Sequence, residues 1–231
     1  MGTSKDFSGQ TGGGWTHAKR VASQISRQGP SRELTREYAS SYVDALGGNT
    51  AASQSATTAV RTAASMASFL QGVRSVGLTR TLEELGLGEA VGRSSIELIG
   101  LLVDLLAGDG ATLDDVAARE ALVDCLDEEF GNQTYTEIDG VALDEAAIRT
   151  LVGRFIGRFV FRRCLPLLST RLNRATPGVR RRAEEDLRDW AESAAIDAVR
   201  GLDVTRFNPV SAEGRALAES IVQRAYEVFG S

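Results

Sequence analysis

The chain has 231 residues, 42% hydrophobic and 25% charged, with a formal net charge of −5. That is the composition of a soluble globular protein of one large domain or two small ones, with no global attraction to nucleic acid or anionic membrane. Two cysteines, Cys125 and Cys164, are too few for a disulfide framework, the longest apolar run is too short to span a bilayer, and no secretory apolar region opens the chain, so a cytoplasmic protein is expected.

Residues 1–15, Met-Gly-Thr-Ser-Lys-Asp-Phe-Ser-Gly-Gln-Thr-Gly-Gly-Gly-Trp, carry five glycines and almost no apolar content. Such a segment cannot bury enough surface to offset the entropy of ordering it, which predicts a flexible arm ending in an aromatic anchor, Trp15. The arm is expected over 1–29 and a helical domain over 30–231, meeting around Gln28-Gly29-Pro30. Inside the arm, Ala18, Val21, Ala22 and Ile25 form a weak stripe that would let Trp15–Gln28 dock as a short helix.

Leu34, Tyr38, Tyr42 and Leu46 are spaced by four and predict a helix from Glu33 to Leu46, stopped by Gly47-Gly48. Ala51–Val76 reads as one alanine-rich helix burying Val60, Ala63, Ala64, Ala67, Leu70 and Val73. A short element covers Leu78–Leu87. Ser94 and Glu97 form a capping box ahead of Ile96–Ala107, which Gly108 ends, and Thr112 caps a helix running to Phe130. Alternating Thr, Tyr and Ile suggest a short extended piece within Asn132–Val141. Asp144–Arg163 is helical, with Pro166 expected to kink or end it; a charged helix runs from Pro177 to Arg200, and the last from Ser211 to Phe229. The class is all-α: a multi-helix, bundle-like domain behind a Gly-rich arm.

Catalytic chemistry has little to draw on. The single histidine, His17, precludes a His-based triad or a His-rich metal site in the body, and the cysteines lack zinc-ligand spacing. Gly9–Gly14 has neither the Lys-Ser/Thr ending nor the preceding strand of a phosphate loop. Asp124, Asp127 and Glu128 share one helical face and are close enough to hold a cation, although solvated carboxylates explain them more simply. Asp109-Gly110 with Asp114 and Asp115 fails the calcium-loop pattern. No metal and no cofactor is expected.

Charge is unevenly placed. Glu97–Glu145 holds fourteen acidic residues and one arginine, whereas Arg149–Ala183 holds ten arginines and no acid. The Arg149–Arg182 stripe, with Arg154, Arg158 and Arg162 as a candidate basic surface, is one place for a nucleic acid to bind. Neutralisation of acidic by basic helices inside the fold is the simpler account. Gly153 and Gly157, one turn apart, call for the close approach of something, most simply a neighbouring helix.

Small second residues permit removal of the initiator methionine, leaving Gly2 with an α-amine whose ordinary pKa is about 7.7–8.0, far below that of lysine. A useful fraction is thus a free nucleophile at neutral pH, without a Cβ to obstruct it. An arm of this length spans on the order of 20 Å as a coil and more than about 40 Å extended. Myristoylation would need Ser or Thr at the sixth position, which is Asp6.

At Met1-Gly2-Thr3-Ser4, the glycine-rich continuation and Gly12-Gly-Gly-Trp15, the chain resembles the B component of the Qat anti-phage defence systems. The resemblance is specific over this start and diffuse along the helical body. It implies a set comprising an ATPase, this protein, a QueC-like (QatC-like) enzyme and a TatD-like nuclease. It also implies that the QueC-like enzyme uses ATP to activate the carboxylate of a 7-deazaguanine and passes it to the partner's N-terminal glycine. Gly2 would be the acceptor, and Gly2, Thr3, Ser4 and Trp15 the arm residues that the partner reads. The expected function is a non-catalytic component of an antiviral complex. The alternatives are a nucleic-acid-binding or regulatory protein using the basic stripe, and a structural adaptor whose arm wraps a partner.

Overall fold

Among residues 13–108, 110–201 and 211–231, which the computed structural model describes, every regular element is a helix. In chain order these are α1 (Gly13–Gln28), α2 (Arg32–Ala45), α3 (Asn49–Gln54), α4 (Thr57–Val76), α5 (Leu78–Glu84), a 3₁₀ turn (Gly88–Ala90), α6 (Ser95–Ala107), α7 (Leu113–Phe130), α8 (Tyr135–Asp139), α9 (Glu145–Leu172), α10 (Pro177–Val199) and α11 (Ala212–Phe229). The all-α expectation holds. Among the described residues no helix is long and apolar enough to cross a membrane.

Local chemistry sets most of the helix starts. Ser31, Ser94, Thr112, Thr134, Asp144, Thr176 and Ser211 each place a side-chain oxygen on a backbone N–H of the first turn, satisfying a donor that would otherwise be orphaned. At Ser94, Thr112 and Thr134 the bond is reciprocated by Glu97, Asp115 and Glu137.

Three elements differ from expectation. The alanine-rich run divides into α3 and α4, because Ser53 and Ser55 donate their hydroxyls back to the carbonyls of Thr50 and Ala52 and so end α3 early. Asn132–Val141 is not extended: the Thr134–Glu137 capping box starts α8, which docks through Tyr135 Oη at 2.9 Å and Asp139 Oδ1 at 3.3 Å from Thr79 Oγ1. Pro166 does not end α9, which continues to Leu172. Proline lacks the N–H that would otherwise bond the Arg162 carbonyl four residues back. The buried hydroxyls of Tyr42 and Tyr38 on α2 supply donors just ahead of it, to the carbonyls of Arg163 (2.9 Å) and Cys164 (2.7 Å).

The core forms around α9, which buries apolar side chains from Ile148 to Leu172 against α7, α10, α1 and α4. Its most extensive neighbour is α10. A Cβ at Gly157 would lie 2.5 Å from Glu192 Cα and 2.8 Å from the Ala191 carbonyl oxygen, so the two backbones touch only because Gly157 has none. The expected close approach is therefore helix against helix within the chain.

Within the expected arm, Trp15–Gln28 does dock. Ala18, Val21, Ala22 and Ile25 of α1 are buried against α2 and α9, and a Cβ at Gly14 would lie 2.8 Å from Ala45 Cα. Burial of this apolar stripe offsets the ordering entropy that argued for flexibility. The helical body thus takes in residues 13–28, and residues 1–12 of the expected arm lie outside the described residues.

Gly157→Ala is expected to lower unfolding free energy by about 2–3 kcal/mol, since Glu192 and Ala191 present backbone, which cannot yield. Gly178→Ala, which meets nothing within 4 Å, is expected to leave stability within about 0.5 kcal/mol. Urea denaturation of both variants checks this.

Candidate functional site

Of the residues singled out in the sequence, Gly2, Thr3 and Ser4 lie outside the described residues. Trp15 sits in the first turn of α1, partly buried, its ring edge-on to Tyr42 with centroids 5.7 Å apart. It is thereby packed against the body. His17, two residues on, is exposed and lies 3.1 Å from Glu37 Oε1.

The charge asymmetry resolves into a ladder between α7 and α9. Arg154, Arg158 and Arg162 recur every four residues and so share a face of α9. Arg154 Nη1 lies 3.3 Å from Glu129 and 3.9 Å from Glu128; Arg158 bonds Glu128 and, 2.9 Å away, Glu192 of α10; Arg162 bonds Asp124 and lies 3.3 Å from Glu120. The side chains expected to offer a basic surface therefore face carboxylates of the same chain, and Arg158 is only 5% exposed. The hydrogen bond from Arg158 holds the Glu128 carboxyl below the usual carboxylate range, against a smaller opposing effect of burial. Arg171, Arg174 and Arg182 remain exposed beyond this ladder.

The candidate cation site is occupied in the same way. Asp124 and Glu128 are taken by arginine, and among the described residues no group of three or more His, Cys, Asp or Glu side chains is placed to hold a metal ion. Of the rejected calcium-loop residues, Asp109 lies outside the described residues. Asp115 caps α7 and accepts from Thr58 Oγ1 at 2.7 Å, which lowers its pKa, whereas burial raises that of Asp114 against the pull of Arg163.

The sequence did not single out Arg163, although it joins more elements than any residue that was. Its guanidinium lies 3.0 Å from Asp114 Oδ1, donates to Tyr226 Oη at 2.8 Å and Ser55 Oγ at 3.1 Å, and stands 5.6 Å from the Phe159 ring centroid. Neither cysteine is accessible. Burial pushes the Cys125 thiol up to about 12 and raises Cys164 as well, so both behave as small apolar groups rather than nucleophiles.

With catalysis and metal binding unsupported by these clusters, family membership carries the functional assignment. The family model of the Qat anti-phage system associated protein QatB matches residues 47–229. The chain belongs to that family. It is thus a component of an anti-phage defence system, and membership points to the other Qat components as its partners. No curated protein and no solved structure matches it. The match runs from just before α3 to the end of α11 and so covers most of the helical body.

Three outcomes are expected. Cys125 and Cys164 should resist alkylation in the native protein and react once urea unfolds it, read by intact mass. Arg163→Ala should cost about 3 kcal/mol by leaving Asp114 without its cation. A carboxylate with a depressed native pKa contributes stability above its unfolded pKa, so the deficit of Glu128→Gln should be full at neutral pH. It should begin to shrink near pH 4.3 and vanish at lower pH in urea titrations.

Proposed function

We propose that this chain is a non-catalytic Qat component that docks a QueC-like enzyme through its helical body and presents Gly2 for conjugation to a 7-deazaguanine. The observation that carries the reading is the family match over residues 47–229, joined to a start, Met1-Gly2-Thr3-Ser4, whose processed form offers an unhindered α-amine. The body supports the role by its chemistry: its buried thiols are held protonated, and its acidic face on α7 is matched to arginines.

In the transfer, the enzyme's ATP-activated carboxyl carbon is attacked by the neutral Gly2 nitrogen. The C–N bond forms as the activating group departs with the electrons of its C–O bond, and the nitrogen gives up a proton to leave an amide. The chain supplies the amine and its position; the enzyme supplies activation. The system ATPase and the TatD-like nuclease are further partners under this reading.

The nucleic-acid alternative is weakened because Arg154, Arg158 and Arg162 face Glu128, Glu129, Asp124, Glu120 and Glu192. The adaptor alternative, an arm that merely wraps a partner, differs in its tolerance of extension.

Co-expression with the QueC-like enzyme followed by intact-mass analysis is expected to show a chain lacking Met1 and heavier by one 7-deazaguanine acyl group on Gly2. Adding one residue ahead of Gly2 should abolish the shift. An unshifted mass with a free Gly2 amine rejects conjugation, and function that survives the extension favours the adaptor.

A further inference from the structure

A groove of about 380 Å³ opens where the arm leaves the body. One wall is Trp15 of α1 with Leu46, just past α2; the opposite wall is Leu113 and Val116 of α7, with Pro166 of α9 between them. Tyr42 and Arg163, both committed to the contacts described above, also line it. Beside the exposed Glu120, its lip carries exposed apolar side chains: Leu113 is 60% and Val116 41% accessible. Exposed leucine and valine converging on a tryptophan make a surface that gains by being covered.

Its position limits what covers it. The described chain begins at Gly13, two residues before the Trp15 that forms the wall, so the preceding twelve residues are tethered close to the groove. Between Met1 and Trp15 they contain one aromatic side chain, Phe7, in a segment otherwise polar or glycine. From Gly13 back to Phe7 is six residues, at most about 20 Å of chain, and Gly12-Gly13-Gly14 permits the reversal needed to lie over the groove. From the groove's place at the arm's exit and this single aromatic residue within reach, we infer that it seats Phe7 of the chain's own N-terminal segment. Anchored there, the arm keeps five residues ahead of Phe7, so Gly2 projects up to about 17 Å beyond the seat. The groove then holds the base of the arm while its terminus stays accessible. The presenting role of the seat rests on the function proposed above; the seating itself does not.

The test uses the full-length protein without any enzyme, so its failure is separate from a failure of conjugation. Ser8→Cys is paired with Val116→Cys on the lip, and in a control with Asp44→Cys. Asp44 is exposed on α2 beside the Ala45 that Gly14 packs against, and so is also within the arm's reach. Cys125 and Cys164 are buried and stay out of the reaction. Under mild oxidation the Val116 pair is expected to close within one chain about tenfold faster than the Asp44 pair, as burial of an aromatic ring would bias a short tether. Adding Phe7→Ser should abolish that advantage. Equal rates for the two pairs, an advantage that survives Phe7→Ser, or disulfides that form between two copies would each overturn the proposal.

Discussion

Arginine on a buried helix must meet carboxylate, and this requirement determines how α7 lies against α9. Arg154, Arg158 and Arg162 descend one face of α9 a turn at a time, and Glu129, Glu128, Asp124 and Glu120 ascend α7 to meet them. Most of this ladder is partly exposed and adds little stability, yet a slip by one residue would strand the charge of Arg158, the one arginine of the three that is buried. It therefore acts chiefly to fix register. On another face of α9 the constraint is steric, since Gly157 admits the α10 backbone where any other residue would not. Charge matching and backbone contact together make α9 the axis on which the remaining helices are placed.

The parts legible in the sequence depend on residues three or four positions apart. The Ser94–Glu97 box, the Tyr38 and Tyr42 spacing and the stripe of α1 all correspond to observed elements, because each is set within a turn or two of chain. What escaped depends on side chains making a choice among competing bonds, or on distant partners. Ser53 and Ser55 could continue a helix or fold back on it, and they fold back. Pro166 ordinarily ends a helix, yet α9 continues through it, with two tyrosine hydroxyls more than 120 residues away in sequence bonded to the Arg163 and Cys164 carbonyls. The basic stretch was visible as composition, but not its partners, which required knowing that α7 and α9 lie side by side. At the candidate site, the terminal glycine could be read as chemistry, whereas the groove beside Trp15 exists only once α1, α7 and α9 meet.

Neither thiol is accessible, the α7 carboxylates of the ladder are matched to arginine and the histidine lies at an exposed edge. Family membership sets this helical body among the components of an anti-phage system, with the other Qat components as its partners.

Arg163 and its neighbours bear on where this protein can be cut. The family-matched span starts at residue 47, yet Tyr38 and Tyr42 hold the Arg163 and Cys164 carbonyls, and α1 covers part of α9. Truncation to the matched span would strip apolar cover from the central helix and remove the hydroxyls bonded to the Arg163 and Cys164 carbonyls. The cooperative folding unit is therefore longer than the matched span, and the first two helices belong to it as fully as the last.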